Sequence, residues 1–243
     1  MKYIGLMIAA LLVFLIACAP AQIAQPAAQP VPAAPAAQPV AQPGPTPVEA
    51  APVPTVSKEL QDLLSRADQR VKSYKYLELI LPDKKQPDTI SVKGSKVKVK
   101  LYEYEPYIPK DYFDTVYLDT ATQTAIGRCE TKARCVWAQG DNTKRAWTNL
   151  DYNQFRRKTP YEFVKEVPAT ATIMGPEVHF NRGTTRIQYD DAGKLVDMWI
   201  DDSYGLPVEI SITTSDGKVT SYKFNDMTFN GLADRDVTAP ALA

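Results

Sequence analysis

Chemistry in this 243-residue chain would have to come from few residues: one histidine, three cysteines and two adjacent pairs of aspartates. His179 is the only imidazole, which excludes a His-rich zinc set and leaves any serine–histidine arrangement resting on one residue in an expected strand. Asp190–Asp191 and Asp201–Asp202 could hold a cation or act as acid and base. Each pair falls where a turn is expected, however, and aspartate in a turn serves backbone hydrogen bonds. No phosphate-cradling glycine loop, nucleophile elbow or dinucleotide fingerprint occurs, so no cofactor is implied. The inventory does not support catalysis, and the expectation is a protein with no catalytic residues and no metal.

Cys18 is different, because of what surrounds it. Met1 and Lys2 make a short positive end, and the fourteen residues Ile4 to Ala17 are apolar apart from Gly5. A helix needs roughly 20 residues to cross ~30 Å of hydrocarbon, so this run suits the core of a signal peptide better than a permanent span. It ends in Leu15, Ile16, Ala17, Cys18, which resembles the lipobox of prokaryotic lipoproteins. That resemblance implies a thioether to diacylglycerol on Cys18 and removal of residues 1–17. A small side chain before the cysteine fits a peptidase, and the thiol is the nucleophile that takes the lipid.

Residues 18–56 read as the lipidated cysteine followed by a tether. Positions 19–56 are almost wholly Ala, Pro, Gln and Val, with eleven prolines in thirty-eight positions and Glu49 as the sole charge. Such a segment cannot bury a core and is expected to stay extended, reaching on the order of 100 Å at ~3.1 Å per residue. Its prolines are irregularly spaced and lack a basic flank, so a spacer is favoured over a proline-rich ligand. The remainder, 57–243, is long enough for one domain with a sizeable core. Without Lys2 and Glu49 the charges number 27 basic and 27 acidic, with no run that would follow nucleic acid or an anionic membrane. Nucleic acid is therefore not an expected partner, and the oligomeric state is not legible. Cys129 and Cys135, with five residues between them in an exported chain, are expected to form a disulfide stapling the tip of a hairpin whose arms are Thr124–Arg128 and the segment from Val136.

These residues must be positioned by a domain that changes early from helix to strand. Ser57 can cap a helix whose Leu60, Leu63, Leu64, Ala67 and Val71 form one buried stripe. Tyr74–Leu81, Thr89–Lys93, Lys96–Tyr102 and Phe113–Thr120 read as strands, with a Gly94–Ser95 hairpin turn. A second helical region is expected between Leu150 and Val167, where Thr159, Pro160 and Glu162 make a capping box. Strands then return at Ile173–Phe180, Thr184–Tyr189, Lys194–Ile200, Leu206–Thr213 and Lys218–Phe229, joined by short turns that force antiparallel pairing. The expected class is α+β: a large antiparallel sheet with one or two helices on one face.

Met198–Ile210, reading Met-Trp-Ile-Asp-Asp-Ser-Tyr-Gly-Leu-Pro-Val-Glu-Ile, resembles the late hairpin of the LolA/LolB-like lipoprotein-localisation fold. Tyr222–Asp234 looks like the strand and exit that follow it there, and Leu63–Leu81 like the opening helix and first strand. The resemblance implies a curved, unclosed antiparallel barrel plugged by helices, with acyl chains held in the hollow between. The chain departs from that family at its end, where Asp236–Pro240 stands in place of a phenylalanine and a proline-containing tail.

Alternation puts Ile90, Val92, Val97, Val99, Leu101, Val116, Leu118, Met198, Ile200, Val208, Ile210, Ile212, Tyr222 and Phe224 on inward faces, as candidates to line such a cavity. Periodicity does not separate a lined hollow from a filled core. Tyr104–Phe113 joins two strands yet carries Tyr104, Tyr107, Ile108, Tyr112 and Phe113, and Tyr107 and Ile108 are candidates for the cavity mouth. Two function classes follow: a membrane-anchored carrier or acceptor of the acyl chains of lipids or acylated proteins, or an envelope sensor or interaction module on the same fold.

Overall fold

The computed structural model describes residues 57–105, 112–137 and 140–241. Cys18, the tether, Tyr107 and Ile108 lie outside the described residues. Helix α1 (Lys58–Arg70) opens the domain, and the Ser57 side chain accepts from the Leu60 N–H as its N-cap. Strands β1 (Ser73–Leu81), β2 (Asp88–Lys93), β3 (Lys96–Glu105), β4 (Phe113–Asp119) and β5 (Thr124–Arg128) follow. A short helix α2 (Lys132–Cys135) leads to β6 (Val136–Trp137), β7 (Gly140–Asp141) and β8 (Ala146–Trp147). Helices α3 (Tyr152–Phe155) and α4 (Pro160–Lys165) precede the late strands β9 (Thr172–His179), β10 (Arg182–Asp191), β11 (Lys194–Asp201), β12 (Pro207–Thr213) and β13 (Val219–Phe229).

Eleven strands form one antiparallel sheet in the order β8-β5-β4-β3-β2-β1-β13-β12-β11-β10-β9. The sheet is open: its ends are the two-residue β8 and the eight-residue β9, which do not pair. Leu60, Leu63 and Ala67 of α1, Phe155 of α3 and Phe163 and Val164 of α4 join the inward side chains of the strands in one core. That is the expected α+β arrangement, an unclosed sheet with helices on one face. Among the described residues no helix is long and apolar enough to cross a membrane.

Three local features depart from simple pattern reading. The second helical region is two short helices, because the Thr159 and Glu162 capping box starts α4 afresh with Pro160 in its first turn. On β1 the alternation is inverted: Tyr74, Tyr76 and Glu78 are buried on the helix-covered side, while Leu77, Leu79 and Leu81 are only partly covered on the other. Burying two large rings beside Phe224, with Tyr76 edge-on to it at 5.4 Å between centroids, outweighs burying three leucines. The disulfide hairpin is also corrected. Cys129 and Cys135 are bonded, but Thr124–Arg128 pairs with β4 and β8, and Val136–Trp137 pairs with Gly140–Asp141. The buried Asp114 carboxylate accepts from the N–H groups of Glu130 (2.9 Å) and Thr131 (3.0 Å), which folds the segment back over β4 and closes it with α2.

Candidate functional site

Of the fourteen residues expected to line a cavity, eleven belong to the main packed core: Ile90, Val92, Val97, Val99, Leu101, Val116, Leu118, Met198, Ile200, Ile210 and Phe224. Their exposures run from 0% to 7%, so most of the helix-covered face is filled by the protein's own side chains. Ile212 and Tyr222 are partly buried at its margin. Val208 stands apart. The register shifts between Trp199 and Ile200, which face Glu209 and Pro207, and the unpaired Val208 lines a small hollow with Leu77 and Phe180. Tyr112 and Phe113, at the end of the aromatic loop, are 1% exposed, with Phe113 against Trp147 and Phe155.

Space remains at one end of the helix-covered face. A half-open hollow of about 440 Å³ lies between the end of α1, the start of α4 and the β2–β3 turn. Val71, Tyr74, Val92 and Val97 supply apolar wall, while Asp68, Lys72, Tyr161 and Glu162 supply the polar lining. Helices α1 and α4 are fastened across it. The Tyr161 hydroxyl donates to Asp68 Oδ1 at 2.5 Å, and Lys165 Nζ reaches both Asp68 oxygens at 2.7 and 2.6 Å. The Lys165 and Tyr161 hydrogen bonds hold the Asp68 carboxyl below its ordinary range. Burial would raise Glu162, but bonds from Arg156 and from the Thr159 backbone and hydroxyl overcome it and keep the carboxyl low. An apolar wall with a charged, hydrogen-bonded rim fits an amphiphile, and the volume lies within the ~300–1,000 Å³ of small-molecule sites.

Toward the other end, β1 carries a buried polar pair that sequence reading missed. Glu78 and Asp88 face each other across β1 and β2, each 1% exposed. Lys84 pairs with Asp88, and Arg157 Nε lies 3.6 Å from Glu78. Burial pushes the Glu78 carboxyl up to about 7, against the opposing pull of Arg157. One Glu78 oxygen and the Tyr76 hydroxyl have no hydrogen-bond partner. The available signal was Glu78 itself, a lone carboxylate amid leucines whose alternation, taken at face value, would turn it outward.

The remaining chemical candidates have partners within the fold. His179 packs against Trp199 with rings tilted by 36° and 4.7 Å between centroids, with Glu177 and Glu209 at 3.5 and 3.4 Å. Asp201 accepts from the N–H groups of Ser203 and Tyr204, both at 2.8 Å, and from Arg182 at 3.1 Å. Asp202 takes the Thr185 hydroxyl at 2.7 Å, and Asp190 the Gly193 N–H at 3.0 Å. Asp114 lies beside Cys129 and Cys135, but those sulfurs are bonded to each other at 2.06 Å and offer no thiolate to a metal.

No family model and no curated protein matches the chain. Among solved structures it is similar to an uncharacterized conserved protein from Thermus thermophilus, at 9% identity over 75% of this chain and 95% of that one, with a TM-score of 0.45. LprF from Mycobacterium bovis matches at 12% identity over 77% and 99%, TM-score 0.42. A LolA superfamily protein from Nitrosomonas europaea matches at 12% identity over 74% and 97%, TM-score 0.30. With TM-scores below 0.5 these likenesses carry no weight for function.

Proposed function

We propose that this chain is an extracytoplasmic lipoprotein, lipidated on Cys18 and held off its membrane by residues 19–56, whose 57–243 domain binds an acyl chain of a lipid or acylated protein as carrier or acceptor. The observation that carries the binding reading is the hollow at Val71, Tyr74, Val92 and Val97, with its charged rim of Asp68, Lys72 and Glu162. An aliphatic chain would lie on the wall while its polar end meets the rim. Glu105 and Phe113, which bracket the segment of Tyr107 and Ile108, lie at the end of β3 away from the β2–β3 turn that lines this hollow, so a mouth formed by Tyr107 and Ile108 would be a separate opening; neither catalysis nor a cofactor enters the reading.

Two measurements test it. Lipid extracted from the unlipidated domain and identified by mass spectrometry should contain acyl chains, and a fluorescent fatty acid should bind saturably. Lys72→Trp, at an exposed rim position, should block the hollow and abolish that binding at unchanged melting temperature. Tyr107→Ser/Ile108→Ser, at the other end of β3, should leave it unchanged; weaker binding at unchanged stability would place that loop in the mechanism and move the site away from this hollow. Cys18→Ser should abolish membrane retention and fatty-acid labelling, and a labelled, membrane-bound variant would end the lipoprotein reading. The second reading, a cargo-free sensor or interaction module, draws on the packed core at Ile90, Val99, Met198 and Ile210, each 0% exposed. A folded domain that yields no lipid and binds no fatty acid would select it.

A further inference from the structure

The face of the sheet turned away from α1 carries a second hollow. Antiparallel register sets Lys75, Ser91, Lys98 and Tyr117 in one row across β1 to β4, with Thr89 and Lys100 in the next. The C-terminal segment clasps this face. Leu232 N–H donates to Ser73 Oγ at 3.3 Å, Lys93 pairs with Asp234 at 2.8 Å, Val237 is 2% exposed, and the Arg128 guanidinium donates to the Pro240 carbonyl. Between segment and sheet lies a half-open hollow of about 450 Å³.

Its charges do not cancel. Lys98 is neutralised by Glu130 at 2.7 Å, and Asp236, which accepts from the Ala233 N–H at 2.7 Å, offsets one more positive charge. Among the described residues Lys75, Lys100 and Arg235, all lining the hollow, have no carboxylate partner. Four cations and two carboxylates line the hollow, a surplus of two positive charges in a chain whose formal net charge is zero, beside the hydroxyls of Ser91 and Thr89. Lysines along an outer face commonly just keep it soluble, but here a clasped segment turns that face into a concave wall. Converging like charges repel unless an anion sits among them.

We propose that this hollow is an anion site of the phosphate class, in which Lys75, Lys100 and Arg235 supply charge and the Ser91 and Thr89 hydroxyls donate hydrogen bonds to the remaining oxygens. The guanidinium gives the planar two-pronged contact that a tetrahedral oxyanion accepts. Free phosphate and the phosphodiester of an anionic lipid headgroup share this chemistry. The site is on the opposite face from the acyl hollow and does not depend on it.

The test uses residues 19–243, so that neither a lipid on Cys18 nor the apolar 4–17 run contributes. Inorganic phosphate is titrated by calorimetry at low ionic strength, and co-sedimentation is measured with phosphatidylglycerol and with phosphatidylcholine vesicles. Saturable phosphate binding is expected, weakened at least about tenfold by Lys75→Gln/Lys100→Gln and by Arg235→Gln at unchanged melting temperature. Phosphatidylglycerol binding lost in the same variants, without affinity for the free ion, assigns the headgroup as the source. Phosphate binding without vesicle binding assigns the free ion. No binding of either, or equal binding by parent and variants, overturns the site and leaves a solvated cationic face.

Discussion

The two halves of the sheet differ in how completely charge on their outer faces is balanced. In the late half each cation near Trp199 has a carboxylate: Arg186 bonds Asp197 at 2.9 and 2.7 Å, and Lys223 lies 3.6 Å from Glu209. Even the indole N–H is taken, by Glu177 at 2.7 Å. In the early half Lys75 and Lys100 stand without a partner beside a clasped hollow. A self-neutralised face has nothing left to offer a charged ligand, whereas an unbalanced one costs stability until something binds. The halves are also fastened differently. Helix α1 grips the late half through backbone, with Arg66 donating to the Asp202 carbonyl at 2.5 Å and Arg70 to the Ser203 carbonyl at 2.8 Å. The early half is held by the Cys129–Cys135 bridge and the buried Asp114.

The largest effect is expected where α1 meets the late half. Gly205 has φ +70°, and a Cβ there would sit 2.7 Å from the Leu63 carbonyl oxygen and 2.8 Å from the Ala67 nitrogen. Both contacts are backbone, so the helix itself must move. Gly205→Ala should cost about 3 kcal/mol or more, read from the urea midpoint. A loss below about 1 kcal/mol would mean that α1 is held by its apolar stripe alone.

Between the halves runs β1, and its Glu78 should make stability depend on pH. The carboxyl sits at about 7 in the folded state against 4.5 for the ordinary group, so the native state holds a proton that the unfolded chain has released. Stability from this group is full below pH 4.5 and is lost as pH rises through 7, by about 3 kcal/mol at ~1.4 kcal/mol per unit. Glu78→Gln should remove that decline and be the more stable protein at about pH 8. Parallel pH profiles for the two proteins would show that Arg157 keeps the carboxylate charged throughout.

The early half's staple is worth somewhat less. Reducing it, or replacing both cysteines by serine, should cost about 2.4 kcal/mol for a loop of about seven residues. Hydrogen exchange should rise over 114–135 and stay unchanged in β10–β12. Uniform acceleration would show the two halves to be one cooperative unit.

Strands with strong alternation and short turns were legible, including β2, β3 and the whole run from β9 to β13, because turn length fixes their antiparallel pairing. The α1 stripe was legible for the same reason of period: Leu60, Leu63 and Ala67 are all buried. Other features depend on tertiary competition that no local pattern encodes. The inward turn of Tyr76 and Glu78 follows from packing against Phe224, and the displacement of Val208 follows from a one-residue register shift. The fastening of the disulfide segment follows from Asp114, fifteen residues before Cys129. Alternation suggests a lined barrel interior, but the open space lies at one end, between the end of α1, the start of α4 and the β2–β3 turn. Composition hid the cationic hollow, since a neutral total conceals how charges divide between two faces.

The smallest effect bears most directly on the charge contrast. Glu209 is the shared acceptor of the late face: Oε1 takes the Ser221 hydroxyl at 3.1 Å and lies 3.6 Å from Lys223, and Oε2 lies 3.4 Å from His179 Nδ1. Glu209→Gln would leave Lys223 as bare as Lys75 is on the early face. Partly exposed pairs of this kind are worth little, so a loss of about 0.5–1 kcal/mol is expected, shrinking in ~1 M salt as screening contracts to ~3 Å. Lys75→Gln should have the opposite sign: it removes a like-charge neighbour of Lys100 and Arg235, breaks no ion pair, and should leave stability unchanged or raise it by a few tenths of a kcal/mol. Added phosphate should stabilise the parent and the Glu209→Gln protein alike and do less for Lys75→Gln, because only the early face can use the anion. Two substitutions of equal sign, with equal response to phosphate, would mean that the faces differ in composition but not in what they bind.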